Sequence, residues 1–238
     1  MSLIRSITTI RMVVTLRCIF RCPYCTMPKR EVPEIHASDW MKILEKIPYE
    51  QANITGGEPM LHRNIIEIIN RLTEQRKNVC LFTNVCAWQP IHFARIKPDP
   101  KLYVSVSVNP DTNPIDFESK FAALVAMGIV GNVHYVDSPL WYPDIEPFCE
   151  IVEQQGLKLE PVKDQQAYTV QKHGTWCFLP RIIIGPDGRR YPCGTLIGEP
   201  NQDIFFDDDD RTYIGRDCDR TDCCACDRYT MAGEKHVD

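Results

Sequence analysis

The sequence predicts an α/β fold built on a parallel sheet and followed by a small cysteine-rich domain. From residue 11 to about residue 162, short apolar segments rich in β-branched residues alternate with helical stretches, which is typical of βαβ units. Near residue 163 this alternation stops, and the rest of the chain is rich in Cys, Gly, Pro and Asp. We therefore expect two domains, at residues 1–162 and 163–238.

Six strands are expected in the first domain, with helical stretches between them. The strands lie at about residues 11–16, 51–55, 78–83, 103–108, 132–136 and 158–162. Two of the helical stretches carry apolar residues at i, i+3, i+4 and i+7, namely Trp40, Ile43, Leu44 and Ile47, and Ile65, Ile68, Ile69 and Leu72. Gly128 and Gly156 follow the fourth and fifth stretches, where glycine ends a helix at low cost.

The second domain has few periodic apolar faces and needs another source of stability. Its Gly-Pro-Asp-Gly sequence at residues 185–188 predicts the turn of a hairpin. Metal ligation by the six cysteines of this domain would supply the missing stability. The acidic run at residues 207–210 is interpreted as a solvated loop.

Charge and hydropathy argue against several classes of protein. The formal net charge is -5, and Lys and Arg form no long stripe of the kind that follows a phosphate backbone, so a nucleic-acid partner is not expected. No segment approaches the roughly 18 apolar residues of a membrane span, and the first residues lack the apolar stretch of a secretion signal. We expect a cytoplasmic protein with no membrane association.

Twelve cysteines are many for this length, and in a reducing cytosol they indicate metal ligation or catalysis rather than disulfides. Three lie near the N-terminus and six towards the C-terminus, which indicates two metal centres. The remaining three, Cys80, Cys86 and Cys149, are interpreted as buried or packing thiols.

The first cysteine group directly follows the first predicted strand. Cys18, Cys22 and Cys25 would then share one loop at the carboxyl end of that strand, where parallel α/β folds keep their chemistry. Three thiolates leave one iron of a 4Fe-4S cube without a protein ligand, open to a substrate. Zinc is the alternative, but a closed zinc site needs four ligands, and no fourth Cys or His lies nearby at a usual spacing.

This Cys-x3-Cys-x2-Cys loop, with an aromatic residue before its last cysteine, resembles the signature of the radical S-adenosylmethionine superfamily. The resemblance implies a partial (β/α)6 TIM-like barrel and a 4Fe-4S cluster on Cys18, Cys22 and Cys25. It also implies S-adenosylmethionine chelated by the open iron, whose electron cleaves the sulfonium to give a 5'-deoxyadenosyl radical. By the same match, Tyr24 would lie against the adenine.

A second segment strengthens the resemblance. Residues 54–59, Ile-Thr-Gly-Gly-Glu-Pro, close the second predicted strand and resemble the Gly-Gly-Glu-Pro segment that holds the methionine amino group in that family. Gly56 and Gly57 permit close approach of the backbone to a ligand, and the carboxylate of Glu58 complements an ammonium group. Alone the segment could be an ordinary turn, but with the cysteine loop it favours a methionine site.

Polar residues at later strand ends are further candidates for contacts with S-adenosylmethionine. The family makes contacts to the ribose and carboxylate from strands three to five, without a fixed motif. The candidates here are Thr83, Asn84, Ser105, Ser107 and Asn109. We favour Ser105 and Ser107, which share one face of the fourth strand because side chains alternate.

The second cysteine group resembles the C-terminal extensions called SPASM and Twitch, which bind auxiliary iron-sulfur clusters in some radical enzymes. Spacing alone does not exclude a zinc ribbon. One Cys-x2-Cys pair after the hairpin favours Twitch and a single auxiliary 4Fe-4S cluster. The matching ligands are Cys177, Cys193, Cys223 and Cys226. Cys218 or Cys224 could replace Cys223.

The resemblance implies abstraction of a hydrogen atom from a peptide or from a sugar-like or aminocyclitol-like small molecule, in a net oxidation or modification. In an oxidation the auxiliary cluster would accept an electron, and a base would remove a proton. Asp137, directly after the fifth strand, and Glu160, late in the sixth, are the candidate bases by strand position. The first electron would come from a donor such as flavodoxin or ferredoxin.

Two alternatives stay open. One is a non-catalytic iron-sulfur or zinc protein with a redox-sensing or binding role, but such a protein has no need of a Gly-Gly-Glu methionine site. The other is a radical enzyme that modifies nucleic acid. It should show a basic face at the barrel mouth, for which Lys29, Arg30 and Arg63 are too few.

Overall fold

The computed structural model describes residues 9–88, 90–139, 144–163, 176–177, 181–191, 194, 197–199 and 216–217. The long strands are β1 (Thr9–Thr15), β2 (Gln51–Gly56), β3 (Asn78–Thr83), β4 (Leu102–Val108), β5 (Val130–Asp137) and β6 (Leu159–Lys163). The helices are α1 (Ala37–Leu44), α2 (Ile65–Glu74), α3 (Pro90–Phe93), α4 (Pro114–Ala126) and α5 (Glu146–Gln154), and a 3₁₀ turn spans Pro59–Leu61. Four short strands follow, β7 (Trp176–Cys177), β8 (Arg181–Ile184), β9 (Arg190–Tyr191) and β10 (Arg216–Asp217).

The six long strands form one sheet in which every neighbouring pair is parallel and sequence order equals spatial order. This confirms the predicted alternation of strands and helices, and the strand bounds differ from the prediction by two residues at most. Because all six strands run the same way, their carboxyl ends lie along one edge of the sheet. Any side chains on the loops after these strands are therefore brought to a common edge.

The main core lies between one face of the sheet and the helices. Alternate strand residues such as Met12, Ile54 and Val106 are fully buried there, as the period-two alternation of a strand requires. Both predicted helical faces, on α1 and α2, pack into this core. The opposite face carries polar residues on β2 (Gln51, Asn53 and Thr55) and on β4 (Ser105 and Ser107).

Helix α4 shows how the sequence sets these elements locally. The side chain of Asn113 accepts hydrogen bonds from the backbone N–H groups of Ile115 and Asp116 at 3.0 and 3.1 Å, and Pro114 occupies the first helical turn, where a missing N–H costs nothing. Gly128 then takes a φ of 68° just after the helix, as predicted for a glycine at that place.

The hairpin predicted at residues 185–188 is present, with β8 and β9 antiparallel, but its position was not anticipated. β8 pairs in parallel with β1, so the hairpin extends the main sheet beyond β1. Ile183 and Tyr191 of the hairpin pack with Val13 and Leu16 in a second, smaller apolar cluster. The sheet thus continues into residues assigned to the second domain, and the boundary at residue 162 stays a prediction.

Most of the predicted auxiliary-cluster site lies outside the described residues. Cys177 is on β7, whose backbone pairs antiparallel with β10. Cys193, Cys223 and Cys226 are outside the described ranges, as are the alternatives Cys218 and Cys224. Their ligand roles stay predictions.

Across the described ranges, none of the helices is both long enough and apolar enough to cross a membrane.

Removing a core side chain from α4 is expected to destabilise the fold strongly, whereas removing an exposed one on the same helix is not. Leu124 is 1% exposed and Ile115 is 80% exposed. We expect Leu124→Ala to lower the free energy of unfolding by about 2–5 kcal/mol and Ile115→Ala by less than about 0.5 kcal/mol. Urea denaturation of the metal-free protein measures both. Equal losses would contradict this packing of α4.

Candidate functional site

The candidate site lies where β1 and β2 end side by side. β1 ends at Thr15 and leads into the loop of Cys18, Cys22 and Cys25, while β2 ends at Gly56. These two strands pair in parallel, so the cysteine loop and the Gly-Gly-Glu segment leave the same edge of the sheet next to each other. The two motifs that the sequence singled out are therefore neighbours in space.

Backbone hydrogen bonds join the two motifs. The N–H of Gly57 donates to the carbonyl of Thr15 at 2.9 Å, and the N–H of Glu58 donates to the carbonyl of Arg17 at 2.7 Å. The approach is so close that a Cβ on Gly57 would lie 2.2 Å from the Arg17 carbonyl oxygen, and one on Gly56 would lie 2.2 Å from that of Thr15. Glycine is needed here because the two backbones touch.

The Glu58 side chain faces the protein interior and ties β2 to β3. It is 1% exposed, and its carboxylate accepts hydrogen bonds from Met60 N, Thr83 Oγ1 and Asn84 N at 3.0, 2.7 and 2.8 Å. Complete burial raises the pKa of Glu58 to about 7, although each of the three hydrogen bonds lowers it. This geometry gives Glu58 a positioning role, and its predicted contact with an ammonium group stays a prediction.

An ion pair closes the cysteine loop at its base. Arg17, just before Cys18, donates from Nε and Nη2 to the two carboxylate oxygens of Glu34, each at 2.8 Å, and Nη2 also donates to the Leu61 carbonyl at 2.6 Å. The Thr15 hydroxyl donates to Glu34 as well. Partial burial raises the pKa of Glu34, but the bonds from Arg17 and Thr15 outweigh burial and hold that pKa below its ordinary value.

The exit of the loop is held by the hairpin. The N–H of Ile35, one residue after Glu34, donates to the carbonyl of Pro186 in the β8–β9 turn at 2.9 Å. The entry of the loop is thus fixed by residues 56–58, its two ends are joined by Arg17 and Glu34, and its exit is fixed by the hairpin. Sequence reasoning missed this frame, because ion pairs and strand neighbours this far apart leave no local pattern.

Within the loop, two of the three thiols have a hydrogen-bond donor nearby. The N–H of Phe20 donates to Cys18 Sγ at 3.4 Å, and Lys29 Nζ lies 3.6 Å from Cys25 Sγ. The bond from the Phe20 N–H by itself lowers the pKa of Cys18 and so favours its thiolate. Without a metal, burial raises the pKa of Cys18, and it raises the pKa of Cys22 to about 11.

The donor set fits a 4Fe-4S cluster. Cys18, Cys22 and Cys25 are free thiols, and an iron that binds a thiol replaces its proton, which offsets the cost that burial imposes on the bare thiolate. Within the described ranges, no three Cys, His, Asp or Glu side chains converge tightly enough to hold a single metal ion. A 4Fe-4S cluster needs a wider arrangement of ligands than a single ion, because its three protein ligands bind three different irons.

One side of the loop faces the end of β4. The Tyr24 hydroxyl donates to Asn109 Oδ1 at 3.0 Å, and Cys22 Sγ lies 3.7 Å from the same oxygen. Asn109 Nδ2 in turn donates to the carbonyl and hydroxyl oxygens of Ser107 at 3.0 and 3.1 Å. The structure therefore brings Tyr24 and Ser107, both predicted to contact S-adenosylmethionine, into one network through Asn109.

Asn84 and Ser105, the other two side chains predicted to contact S-adenosylmethionine, are buried. Asn84 is buried, and its Oδ1 accepts a hydrogen bond from the N–H of Cys86 at 3.0 Å, so its side chain shapes the turn after β3. Ser105 shares a strand face with Ser107, as predicted, but is buried, and its Oγ lies 3.4 Å from His134 Nδ1. Their predicted contacts with S-adenosylmethionine stay predictions.

His134 is a candidate proton acceptor that sequence reasoning missed. It lies on β5 directly opposite Glu160 of β6, and burial lowers its pKa while the nearby Glu160 charge raises it, with a net decrease. Asp137 ends β5 opposite Lys163 and is exposed. The predicted base Glu160 could have pointed to His134, because residues paired on neighbouring strands share a face of the sheet. The catalytic roles of Glu160 and Asp137 stay predictions.

The central cysteines pack as expected. Cys80 is buried on β3, and Cys149 packs against the core from α5. Cys86 is partly buried, and its carbonyl accepts a hydrogen bond from Lys120 Nζ at 2.7 Å.

Comparison with known families identifies the region that holds this site. The model of the Radical SAM superfamily matches residues 12–140, more than half of the 238 residues. The matched region contains the cysteine loop, residues 56–58 and strands β2 to β5.

Two relatives are similar to parts of the chain. A GTP 3',8-cyclase of Aquifex aeolicus is 33% identical over 123 residues, which are 46% of this chain and 38% of that protein. A PqqA peptide cyclase of Granulibacter bethesdensis is 31% identical over 78 residues, which are 30% of this chain and 20% of that protein. The chain thus aligns with well under half the length of either relative.

A solved structure supports the fold. Streptococcus suis SuiB, bound to its precursor peptide SuiA, superposes with a TM-score of 0.52 over 82% of this chain and 61% of the SuiB chain, at 14% identity. At this identity the similarity concerns the fold alone, and it confirms an α/β architecture whose parallel sheet resembles a partial barrel.

Gly57→Ala is expected to disrupt the cysteine loop, because the new Cβ would collide with the Arg17 carbonyl. After anaerobic reconstitution, we expect about four fewer irons per chain than in the parent, since one 4Fe-4S cluster is lost. Gly131→Ala is the matched control, because its Cβ would meet the side chain of Tyr103, at 3.0 Å, and not a backbone carbonyl. Full iron loading of Gly57→Ala would contradict the proposed contact between the two motifs.

The raised pKa of Glu58 predicts a pH dependence of stability. From about pH 4.5 to 7 the folded protein keeps a proton that the unfolded chain releases, so the free energy of unfolding falls as pH rises through this window. Glu58→Gln cannot ionise, and relative to it the parent should lose up to roughly 3 kcal/mol between pH 4.5 and 7.5. Urea denaturation of both metal-free proteins measures the difference. A parent that gains stability over Glu58→Gln with rising pH would show that the three donors outweigh burial.

Proposed function

Because the chain belongs to the Radical SAM superfamily, we propose that it is an enzyme that reductively cleaves S-adenosylmethionine to a 5'-deoxyadenosyl radical, which abstracts a hydrogen atom from a substrate. Membership in this superfamily supports an enzyme and implies a 4Fe-4S cluster and S-adenosylmethionine as cofactors. The specific reaction belongs to the proposal.

One observation carries the proposal. The cysteine loop and the Gly-Gly-Glu segment are joined by two backbone hydrogen bonds, from Gly57 to Thr15 and from Glu58 to Arg17. A protein that used the three thiols for electron storage alone would need the loop but not this segment beside it. The pairing of a three-thiol loop with a second, glycine-based segment therefore favours a site that holds a cluster and a ligand next to each other.

The residues around the loop have distinct tasks in this proposal. Cys18, Cys22 and Cys25 would hold the cluster. Glu58 positions the turn after β3 by accepting hydrogen bonds from Thr83 and Asn84. Glu58, Thr83 and Asn84 are all buried, so their hydrogen bonds hold the turn after β2 against the turn after β3.

The end of β4 would bound the S-adenosylmethionine site on its other side. Asn109 holds the Tyr24 hydroxyl at 3.0 Å, and Ser107 supports the Asn109 amide. Tyr24, which has its hydroxyl fixed in this way, is positioned to present its ring, and we assign it the adenine contact that the family resemblance implies.

The polar face of β5 and β6 would serve the substrate. Burial lowers the pKa of His134, which favours the neutral imidazole that can accept a proton, and Glu160 lies opposite it on the neighbouring strand. We propose that one of His134, Glu160 and Asp137 takes the proton if the net reaction is an oxidation.

We propose a peptide or a small molecule as the substrate. The names of the two relatives, a GTP cyclase and a PqqA peptide cyclase, include one of each class. SuiB, similar in fold, binds a precursor peptide. We also propose an auxiliary 4Fe-4S cluster of the SPASM or Twitch type on Cys177, Cys193, Cys223 and Cys226.

Release of 5'-deoxyadenosine tests the proposed function. The anaerobically reconstituted protein, reduced with dithionite and supplied with S-adenosylmethionine, should release 5'-deoxyadenosine, and Cys22→Ala should release at least about 100-fold less because one cluster ligand is gone. Cys149→Ala, which removes a packing thiol on α5, is the matched control and should retain activity.

Iron counted on the same samples makes the result decisive. A parent that carries its full iron yet releases no 5'-deoxyadenosine would overturn the catalytic proposal and leave an electron-storage or sensing role. If Cys22→Ala and the parent release equal amounts of 5'-deoxyadenosine, the cysteine loop is not required for cleavage of S-adenosylmethionine.

A further inference from the structure

Lys29 brings a charged group into contact with the cysteine loop. Its Nζ lies 3.6 Å from Cys25 Sγ, in a position to donate a hydrogen bond to the sulfur. Burial raises the pKa of Cys18, and the Lys29 charge opposes that rise, so its field reaches a second thiol. Within the described ranges, the groups that make hydrogen-bonding contacts with Cys18 and Cys22 are uncharged. Lys29 therefore differs from the other hydrogen-bonding partners of the thiols in carrying a charge.

The backbone around Lys29 is anchored on both sides. Met27 and Val32 pack against the smaller apolar cluster, which β1 and the hairpin form together. Arg30, the next residue, pairs with Glu199 at 3.1 Å. The segment that carries Lys29 is thus held against the sheet and the hairpin, and the lysine side chain extends towards Cys25 from a fixed position.

Lys29 approaches the thiols from a cavity beside the loop. This cavity has a volume of about 850 Å³, and Cys18, Cys22 and Lys29 are among the residues that line it. Five of the described lining residues are cationic and two are anionic. Tyr24 and Asn109, which meet on the β4 side of the loop, are not among them. Lys29 is therefore separate from the residues to which the proposed function assigns the adenine side of S-adenosylmethionine.

We propose that Lys29 raises the reduction potential of the cluster that Cys18, Cys22 and Cys25 would hold, because its ammonium group stabilises the reduced form through the contact with Cys25. The inference rests on the proposed function, in which that cluster takes up one electron before S-adenosylmethionine is cleaved. Reduction adds one negative charge beside the ammonium group, and no bond forms or breaks at Lys29. A positive charge or a hydrogen bond at a ligating sulfur favours the form with the extra electron.

The contact with sulfur, rather than the summed charge of the cavity, is what we expect to matter. Coulomb attraction falls with distance, and dissolved salt screens charges that lie beyond about 10 Å at 0.1 M ionic strength. Lys29 is exposed, so water weakens its effect as well, and we expect a modest shift. Arg21 is also exposed and lines the same cavity, but it makes no described contact with a thiol. Arg21 therefore separates the two contributions.

Redox titration followed by electron paramagnetic resonance tests the proposal. The reconstituted parent, Lys29→Met, Lys29→Arg and Arg21→Met are titrated without S-adenosylmethionine, and Cys22→Ala supplies the background from any other cluster. At a fixed potential, the ratio of reduced to oxidised cluster should be at least about threefold lower in Lys29→Met than in the parent, which is about 28 mV at about 59 mV per tenfold. Lys29→Arg keeps the charge and should match the parent, and Arg21→Met should change the ratio by less than about 1.5-fold.

Several results would overturn the proposal. Equal ratios in Lys29→Met and the parent would do so, as would an equal decrease in Arg21→Met, which would assign the effect to the summed charge of the cavity. A decrease in Lys29→Arg as large as that in Lys29→Met would contradict a role for the charge. Iron is counted on the same samples, and we expect no loss because no cluster ligand is changed. Loss of iron from Lys29→Met would give Lys29 a role in holding the cluster instead.

Release of 5'-deoxyadenosine by the same parent separates this inference from the function on which it rests. A lower potential in Lys29→Met together with no release from the parent would support the role of Lys29 and overturn the proposed enzyme function. Unchanged potentials together with full release would overturn the inference alone. A parent whose spectrum equals that of Cys22→Ala holds no cluster on the loop, which would overturn both.

Discussion

The contact between two backbone segments at the ends of β1 and β2 is the constraint on which the rest of the site depends. Gly57 and Glu58 donate their N–H groups to the carbonyls of Thr15 and Arg17, at a separation that no side chain at residue 57 would permit. The parallel pairing of β1 and β2 brings the segments together, and the glycines let them touch. Cys18 directly follows Arg17, whose carbonyl accepts the bond from Glu58. The pairing of the two strands therefore fixes the position of the first thiol.

The rest of the loop is organised around that fixed entry. Arg17 and Glu34 join its two ends, and the β8–β9 turn holds Ile35 at its exit. This arrangement gives the loop two distinct sides, one towards Asn109 at the end of β4 and one towards a cationic cavity. The Asn109 side is the one on which the proposed function would place S-adenosylmethionine.

Sequence patterns predicted the parts of this structure that depend on local periodicity. The six parallel strands, the apolar faces of α1 and α2 and the left-handed Gly128 follow from alternation, helical spacing and backbone preference. Patterns did not predict that β8 would pair with β1 or that Arg17 would meet Glu34, because both depend on contacts between residues far apart in the chain. The inward turn of the Glu58 carboxylate depends on the strand neighbour that supplies its donors.

The central claim is that the three thiols of the loop hold a cluster with an iron open to S-adenosylmethionine. Hyperfine spectroscopy of the reduced protein, mixed with S-adenosylmethionine labelled with ¹⁵N at its amino group, tests this directly, and Cys22→Ala supplies the background from any other cluster. The account predicts a coupling between the cluster spin and the labelled nitrogen in the parent, absent from Cys22→Ala. A reduced cluster whose spectrum is unchanged by S-adenosylmethionine would contradict it.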